Sequence, residues 1–124
     1  MTQYFKTVLG HRGETLACTY LQKQGYRILE RNVRTRLGEI DIVAVHQGTI
    51  CFIEVRTRHN LDKGHPLESL SFLKRRKLTQ LVWWYLKSRG WQERKVRLDA
   101  VGILWPAQGK PMVELIQNAF EVSS

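Results

Sequence analysis

Cysteine, proline and long apolar runs are what this 124-residue chain has least of. Its two cysteines, Cys18 and Cys51, are too few for a disulfide framework or a cysteine-based zinc site. Both read as buried free thiols, and a reducing cytoplasm is the expected location. No apolar stretch approaches the ~20 residues that cross a bilayer, so no membrane partner is expected. Residues 1–13 carry charged and polar side chains where an export signal needs an apolar segment. Internal repeats, low-complexity tracts and Pro/Gly/Ser linkers are lacking too, which leaves residues 1–124 as one domain. Acidic residues are the other scarce class. There are 11 Asp and Glu against 20 Lys and Arg, a net charge of +9.

What is present reads as a folded, basic domain. Hydrophobic residues make up 43% and charged residues 25%, which excludes a disordered chain. The positive excess favours a polyanionic partner, of which nucleic acid is the commonest, bound with steep salt dependence. Leu16, Ala17, Tyr20 and Leu21 form one apolar stripe, predicting a helix over 13–24 that stops at Gly25. Strands are predicted over 26–35, 38–46 and 49–57, the second rich in β-branched Ile40, Ile42, Val43 and Val45. A polar loop over 58–66 follows. A second helix is expected over 71–89, with Ser71 as N-cap, Gly90 as terminator and Leu78, Leu81, Val82, Tyr85 and Leu86 as its apolar stripe. Strands over 95–105 and 112–116 complete an α/β fold: a mixed central sheet of about five strands flanked by helices.

Three acids interrupt the second and third strands. Alternate residues of a strand share a face, so Glu39 pairs in direction with Asp41, and Glu54 with Arg56. A two-residue type I′ turn at Gln47-Gly48 sets Asp41 opposite Glu54 and Glu39 opposite Arg56. Opposed carboxylates at about 5 Å repel unless a cation lies between them, and Mg²⁺ or Mn²⁺ suits such an all-oxygen set. The same acids on a solvated sheet face would need no ion. Arg56 would equally suit an ion pair with Glu39 or Glu54. Against the solvated face stands the sign reversal: an anionic cluster in a +9 chain is what a metal site acting on phosphate requires.

Gly13-Glu14, Gly25-Tyr26, Arg31-Asn32, Gly38-Glu39-Ile40-Asp41, Phe52-Ile53-Glu54-Val55-Arg56, Gly64-x-Pro66 and Arg97-x-Asp99 together resemble the small YraN-type bacterial proteins. These are related to archaeal Holliday-junction resolvases and to the PD-(D/E)xK restriction-endonuclease-like fold. The resemblance implies a metal-dependent endonuclease acting on branched or structured DNA, with Mg²⁺ or Mn²⁺ as cofactor. It implies Glu14, Asp41 and Glu54 as metal ligands, with the Val55 carbonyl beside them. Arg56 stands in the catalytic set where the pattern has lysine. Arginine keeps its proton and offers no acceptor, so it suits charge stabilisation and not base catalysis. A domain that binds nucleic acid without cutting it is the alternative this replacement leaves open.

The remaining basic residues read as a nucleic-acid surface. Lys74-Arg75-Arg76-Lys77 opens the second helix, where cations oppose the macrodipole and a phosphate backbone would compensate. Lys74 is also placed to stand in for the missing lysine. Arg34, Arg36, Arg58 and Lys63 flank the acidic strands and suit duplex positioning without sequence readout. Trp83, Trp84 and Trp91 read as core or as a homodimer surface before they read as base-stacking platforms. Arg97 and Asp99 read as a structural ion pair.

Overall fold

A computed structural model describes residues 3–62, 64–69 and 72–120. Elements run α1 (Gln3–Lys23), β1 (Arg27–Thr35), β2 (Gly38–His46), β3 (Thr49–Arg58), a 3₁₀ turn (Pro66–Ser69), α2 (Phe72–Arg89), β4 (Val96–Leu104) and β5 (Met112–Phe120). The sheet order is β1-β2-β3-β4-β5, antiparallel throughout except for the parallel β3–β4 pair. The mixed five-stranded α/β architecture is the one expected. Three boundaries differ. Helix α1 begins ten residues earlier than 13, β5 continues to Phe120, and the 58–66 loop runs into a 3₁₀ turn. Gly10 and Gly13 weaken the helical pattern at the start of α1, although helical backbone runs through both. The expected N-cap Ser71 and the candidate Lys63 lie outside the described residues.

Each face of the sheet has its own core. On one side α1 buries Ala17, Cys18 and Leu21 against Ile42, Ala44, Cys51, Ile53, Val101 and Ile103. On the other, α2 buries Leu78, Leu81, Val82, Tyr85 and Leu86 against Val33, Ile40, Val43, Ile50, Phe52 and Leu98. Both helices end as predicted: Tyr26 N–H returns to Leu21 carbonyl at 3.0 Å, and Trp91 N–H to Leu86 carbonyl at 2.9 Å. No helix among the described residues is long and apolar enough to cross a membrane.

The β2–β3 hairpin has the predicted register, with Ile42 opposite Ile53 and His46 opposite Thr49. Gln47 (φ +50°) and Gly48 (φ +80°) both take the left-handed backbone that a type I′ turn demands. The regular ladder stops at Ile42–Ile53, one step short of Asp41 and Glu54. In that step the strand turns its faces. Ile40 packs in the α2-side core and Ile42 in the α1-side core, although residues two apart share a face in a flat strand. Opposite this step, between the pairs Arg31–Ile42 and Val33–Ile40, Asn32 has a φ of +53°. The rotation of β2 at Asp41 therefore coincides with a left-handed residue on the neighbouring strand.

Candidate metal centre

Asp41 sits where β2 and β3 part, and its side chain takes over a hydrogen bond that the ladder has given up. Val55 N–H donates to Asp41 Oδ2 at 2.8 Å, which fixes the carboxylate between the two strands. Glu14 reaches it from α1. One oxygen from each of Glu14, Glu39 and Asp41 lies within 4.8 Å of the other two, a spacing that a single ion can span. Gly13 permits this approach. A Cβ at that position would lie 2.1 Å from Thr57 Oγ1, so only glycine lets α1 sit so close to β3. Arg31 adds a tie between β1 and α1, donating to Thr15 Oγ1 at 3.2 Å.

The expected opposition of Asp41 and Glu54 continues the observed register by one step, and the Glu54 charge acts on Asp41. Glu54 is only 5% exposed and its Oε1 is held by cations: Arg56 Nη2 at 3.1 Å and Lys74 Nζ at 3.6 Å. Its Oε2 receives no hydrogen bond. The group within one ion's span is thus Glu14, Glu39 and Asp41, with Glu54 standing behind Asp41. The β2–β3 ladder ends before the level of Glu39 and Arg56. Glu39 pairs with Arg34 at 3.5 Å, its direct partner in the β1–β2 register. Arg56 pairs with Glu54, one of the two partners the sequence offered it.

Crowding of like charge shifts the acids. Burial first, and the Glu54 carboxylate second, push Asp41 up to about 7, against the opposing pull of the Val55 N–H. Burial, then Asp41 and Glu39, raise Glu14 as well. Buried oxygens without a hydrogen-bond partner among the described residues are Glu14 Oε1, Asn32 Oδ1 and Glu54 Oε2. They belong to the helix and the two strands that flank Asp41. Buried acceptors lacking donors are costly, and a hard cation satisfies several at once. The donor chemistry fits Mg²⁺ or Mn²⁺.

Next to the acids opens a cleft of about 520 Å³, lined by Glu14 and, along β3 and beyond, by Val55, Arg56, Thr57, Arg58 and His59. Arg56 Nε and Arg58 Nε are buried without acceptors. Chain direction brings the other cations to the same end of the sheet: Arg34 and Arg36 close β1, and Lys74 to Lys77 open α2 after β3 has ended there. Arg75, Arg76 and Lys77 are exposed. Lys74 reaches Glu54, as its second reading anticipated. Trp83 and Trp91 pack against the α2-side core, whereas Trp84 is 43% exposed.

Arg97 and Asp99 form the structural pair expected of them. Asp99 is fully buried, accepts from Arg97 Nε at 2.8 Å, from Tyr26 Oη at 2.7 Å and from Asn118 N–H at 2.8 Å. Tyr26 stacks on His46 with ring centroids 4.3 Å apart, so this network lies toward the end of the sheet where α1 finishes. Sequence reasoning drew on Asn32 only within the Arg31-Asn32 motif and gave it no role of its own. A mid-strand asparagine carries no pattern that announces a left-handed backbone.

Related chains align with this one over nearly its whole length. A protein of Clavibacter michiganensis subsp. michiganensis described as "UPF0102 protein" is 43% identical over 111 residues, covering 90% of this chain and 94% of that one. Proteins so described from Persephonella marina and Syntrophotalea carbinolica are 40% and 39% identical, covering 95% and 96% of this chain and 97% and 96% of their own lengths. Residues 13–103, which span Glu14, the hairpin acids and both basic flanks, match the family described as "Uncharacterised protein family UPF0102", and the chain belongs to it.

Proposed function

We propose that the protein is a divalent-metal-dependent endonuclease that hydrolyses phosphodiester bonds in DNA, with branched or structured DNA as its substrate class. One observation carries this reading: the buried polar atoms without partners have both signs. The orphaned oxygens belong to Glu14, Asn32 and Glu54, on the helix and strands that flank Asp41, while the orphaned guanidinium N–H groups belong to Arg56 and Arg58, residues that line the cleft beside Glu14. Orphaned oxygens call for a cation and orphaned N–H groups for an anion. An ion with a phosphate on it satisfies both. The resemblance of Asp41 and Glu54-x-Arg56 to the PD-(D/E)xK sequence pattern supports the same assignment.

Glu14, Glu39 and Asp41 would hold the ion, with Glu54 Oε2 as a further oxygen. A bound Mg²⁺ or Mn²⁺ supplies charge stabilisation at a phosphate oxygen and a more acidic water. Arg56 and Arg58 bind the phosphoryl oxygens as the negative charge develops. Glu54 holds Arg56 and Lys74 at the edge of the site. Arg34, Arg36, Arg75, Arg76 and Lys77 contact the backbone of the duplex and read no sequence.

Cleavage of branched and linear DNA with Mg²⁺ or Mn²⁺ tests this. Wild type cuts, and Asp41→Ala lowers cutting by about 100-fold or more, beyond the roughly 10–100-fold that losing an outer-shell partner of a metal ligand costs. Absence of cutting by wild type with either metal overturns the catalytic reading. A second reading, a domain that binds DNA without cutting, is favoured by the arginine at position 56, which keeps its proton. Arg56→Lys separates the two. A large gain in cutting identifies a nuclease slowed by arginine, and salt-sensitive binding with no cutting by either protein identifies the binding module.

A further inference from the structure

Asn32 is the site's most unusual residue by backbone. It lies within β1, set against Asp41 by the flanking pairs Arg31–Ile42 and Val33–Ile40. Its φ of +53° falls in the left-handed region, which few residues other than glycine enter and asparagine enters most readily. The two other non-glycine residues with positive φ among those described have ordinary reasons. Gln47 makes the hairpin turn, and Asn118 turns its N–H onto Asp99. Asn32 makes no tight turn, and its Oδ1 is buried without a partner. Strained backbone of this kind persists where surrounding structure enforces it, and it collects at binding sites.

Asn32 Oδ1 is one of three orphaned oxygens, and the other two belong to Glu14 and Glu54. Glu14 lies within one ion's span of Asp41, and the almost completely buried Glu54 stands on the neighbouring strand one register step beyond the Ile42–Ile53 pair. We propose that Asn32 is a neutral oxygen donor to the cation held by Glu14, Glu39 and Asp41, through its side-chain carbonyl. This rests on the metal-centre reading above. The chemistry favours an amide at this place. The carboxylates of Glu14, Glu39, Asp41 and Glu54 already exceed the charge of a divalent ion, and one more would raise the repulsion in the metal-free site, which only a bound ion relieves. An amide carbonyl fills a coordination position, directly or through water, and adds no charge. Asparagine alone combines that short carbonyl with tolerance of a left-handed backbone.

Glycine separates the two properties, since it takes positive φ freely and has no oxygen to offer. Titration of Mn²⁺ into the full chain at pH 8, followed by calorimetry and by the electron paramagnetic resonance of free Mn²⁺, is the experiment. Asn32→Gly should bind Mn²⁺ about tenfold more weakly than wild type, with a metal-free Tm no lower than wild type. Asn32→Asp, which keeps the oxygen and adds charge, should bind more tightly. Wild-type affinity in Asn32→Gly overturns the proposal while leaving the metal centre in place. No Mn²⁺ uptake by wild type overturns the metal centre itself. Should the glycine variant fail to fold, Asn32→Asp decides, and unchanged affinity there overturns the role of Asn32.

Discussion

Asp41 is held in a state that suits an ion better than it suits the protein alone. Its pKa in the fold, about 7, exceeds the ordinary 3.8, so between these values the folded chain binds more proton than the unfolded one. Stability contributed by this group is therefore complete below about pH 4 and is lost as pH rises through 7. Glu14 shifts in the same direction. Asp41→Asn removes the charge and keeps the shape, so it should be more stable than metal-free wild type at pH 8, by on the order of 1–3 kcal/mol, with the difference vanishing near pH 4. Denaturation in EDTA across pH 4–8 measures this, and equal stabilities at pH 8 would refute it. An ion must displace the same proton. Mn²⁺ should therefore raise the wild-type Tm more at pH 8 than at pH 5.5 and leave Asp41→Asn almost unmoved.

At the scale of elements, the site depends on how closely α1 lies on β3. Gly13→Ala forces a methyl group against Thr57 Oγ1, and the helix or the strand must give. The expected cost is about 1–3 kcal/mol in urea denaturation, with weaker Mn²⁺ binding because Glu14 retreats with its helix. Thr57→Ala in the same chain should restore most of both losses, since the clashing hydroxyl is gone. Alternation and turn chemistry made much of this legible beforehand. Gln47-Gly48 and the β-branched run of β2 set the hairpin register, and the register sets Asp41 toward Glu54. Alternation holds from Glu39 to Asp41, whose oxygens share one cluster with Glu14, and fails only past Asp41, where the strand rotates and Ile42 packs in the core opposite to that of Ile40. That rotation is matched by the backbone of Asn32, a tertiary event between two strands that neither strand's own pattern contains. The early start of α1 was hidden for a local reason, Gly10 and Gly13, of which only Gly13 is required by the packing on β3.

For the whole molecule, the arrangement of charge matters more than its sum. The sheet's direction brings Arg34, Arg36, Arg56, Arg58 and the opening of α2 to the end that holds the acids, so cations ring an anionic centre. The first turn of α2 contains no acid to complement the helix dipole, and Lys74 to Lys77 oppose it. Such a placement is unfavourable for the isolated fold and favourable once phosphates lie against it. The exposed residues of this run allow the two effects to be separated. Replacing Arg75, Arg76 and Lys77 together by alanine should leave the metal-free Tm unchanged or raised, because the dipole is relieved and alanine favours helix. The same variant should bind duplex DNA more weakly at every sequence, and its plot of log affinity against log salt should be shallower by about 2–3, roughly 0.9 for each phosphate that the variant no longer neutralises. Mn²⁺ affinity should hold at the wild-type value, since the variant keeps Lys74, the residue of the run that pairs with Glu54. An unchanged salt slope would mean that this face of α2 is only solvated and that DNA approaches the acids from the β1 side, past Arg34 and Arg36.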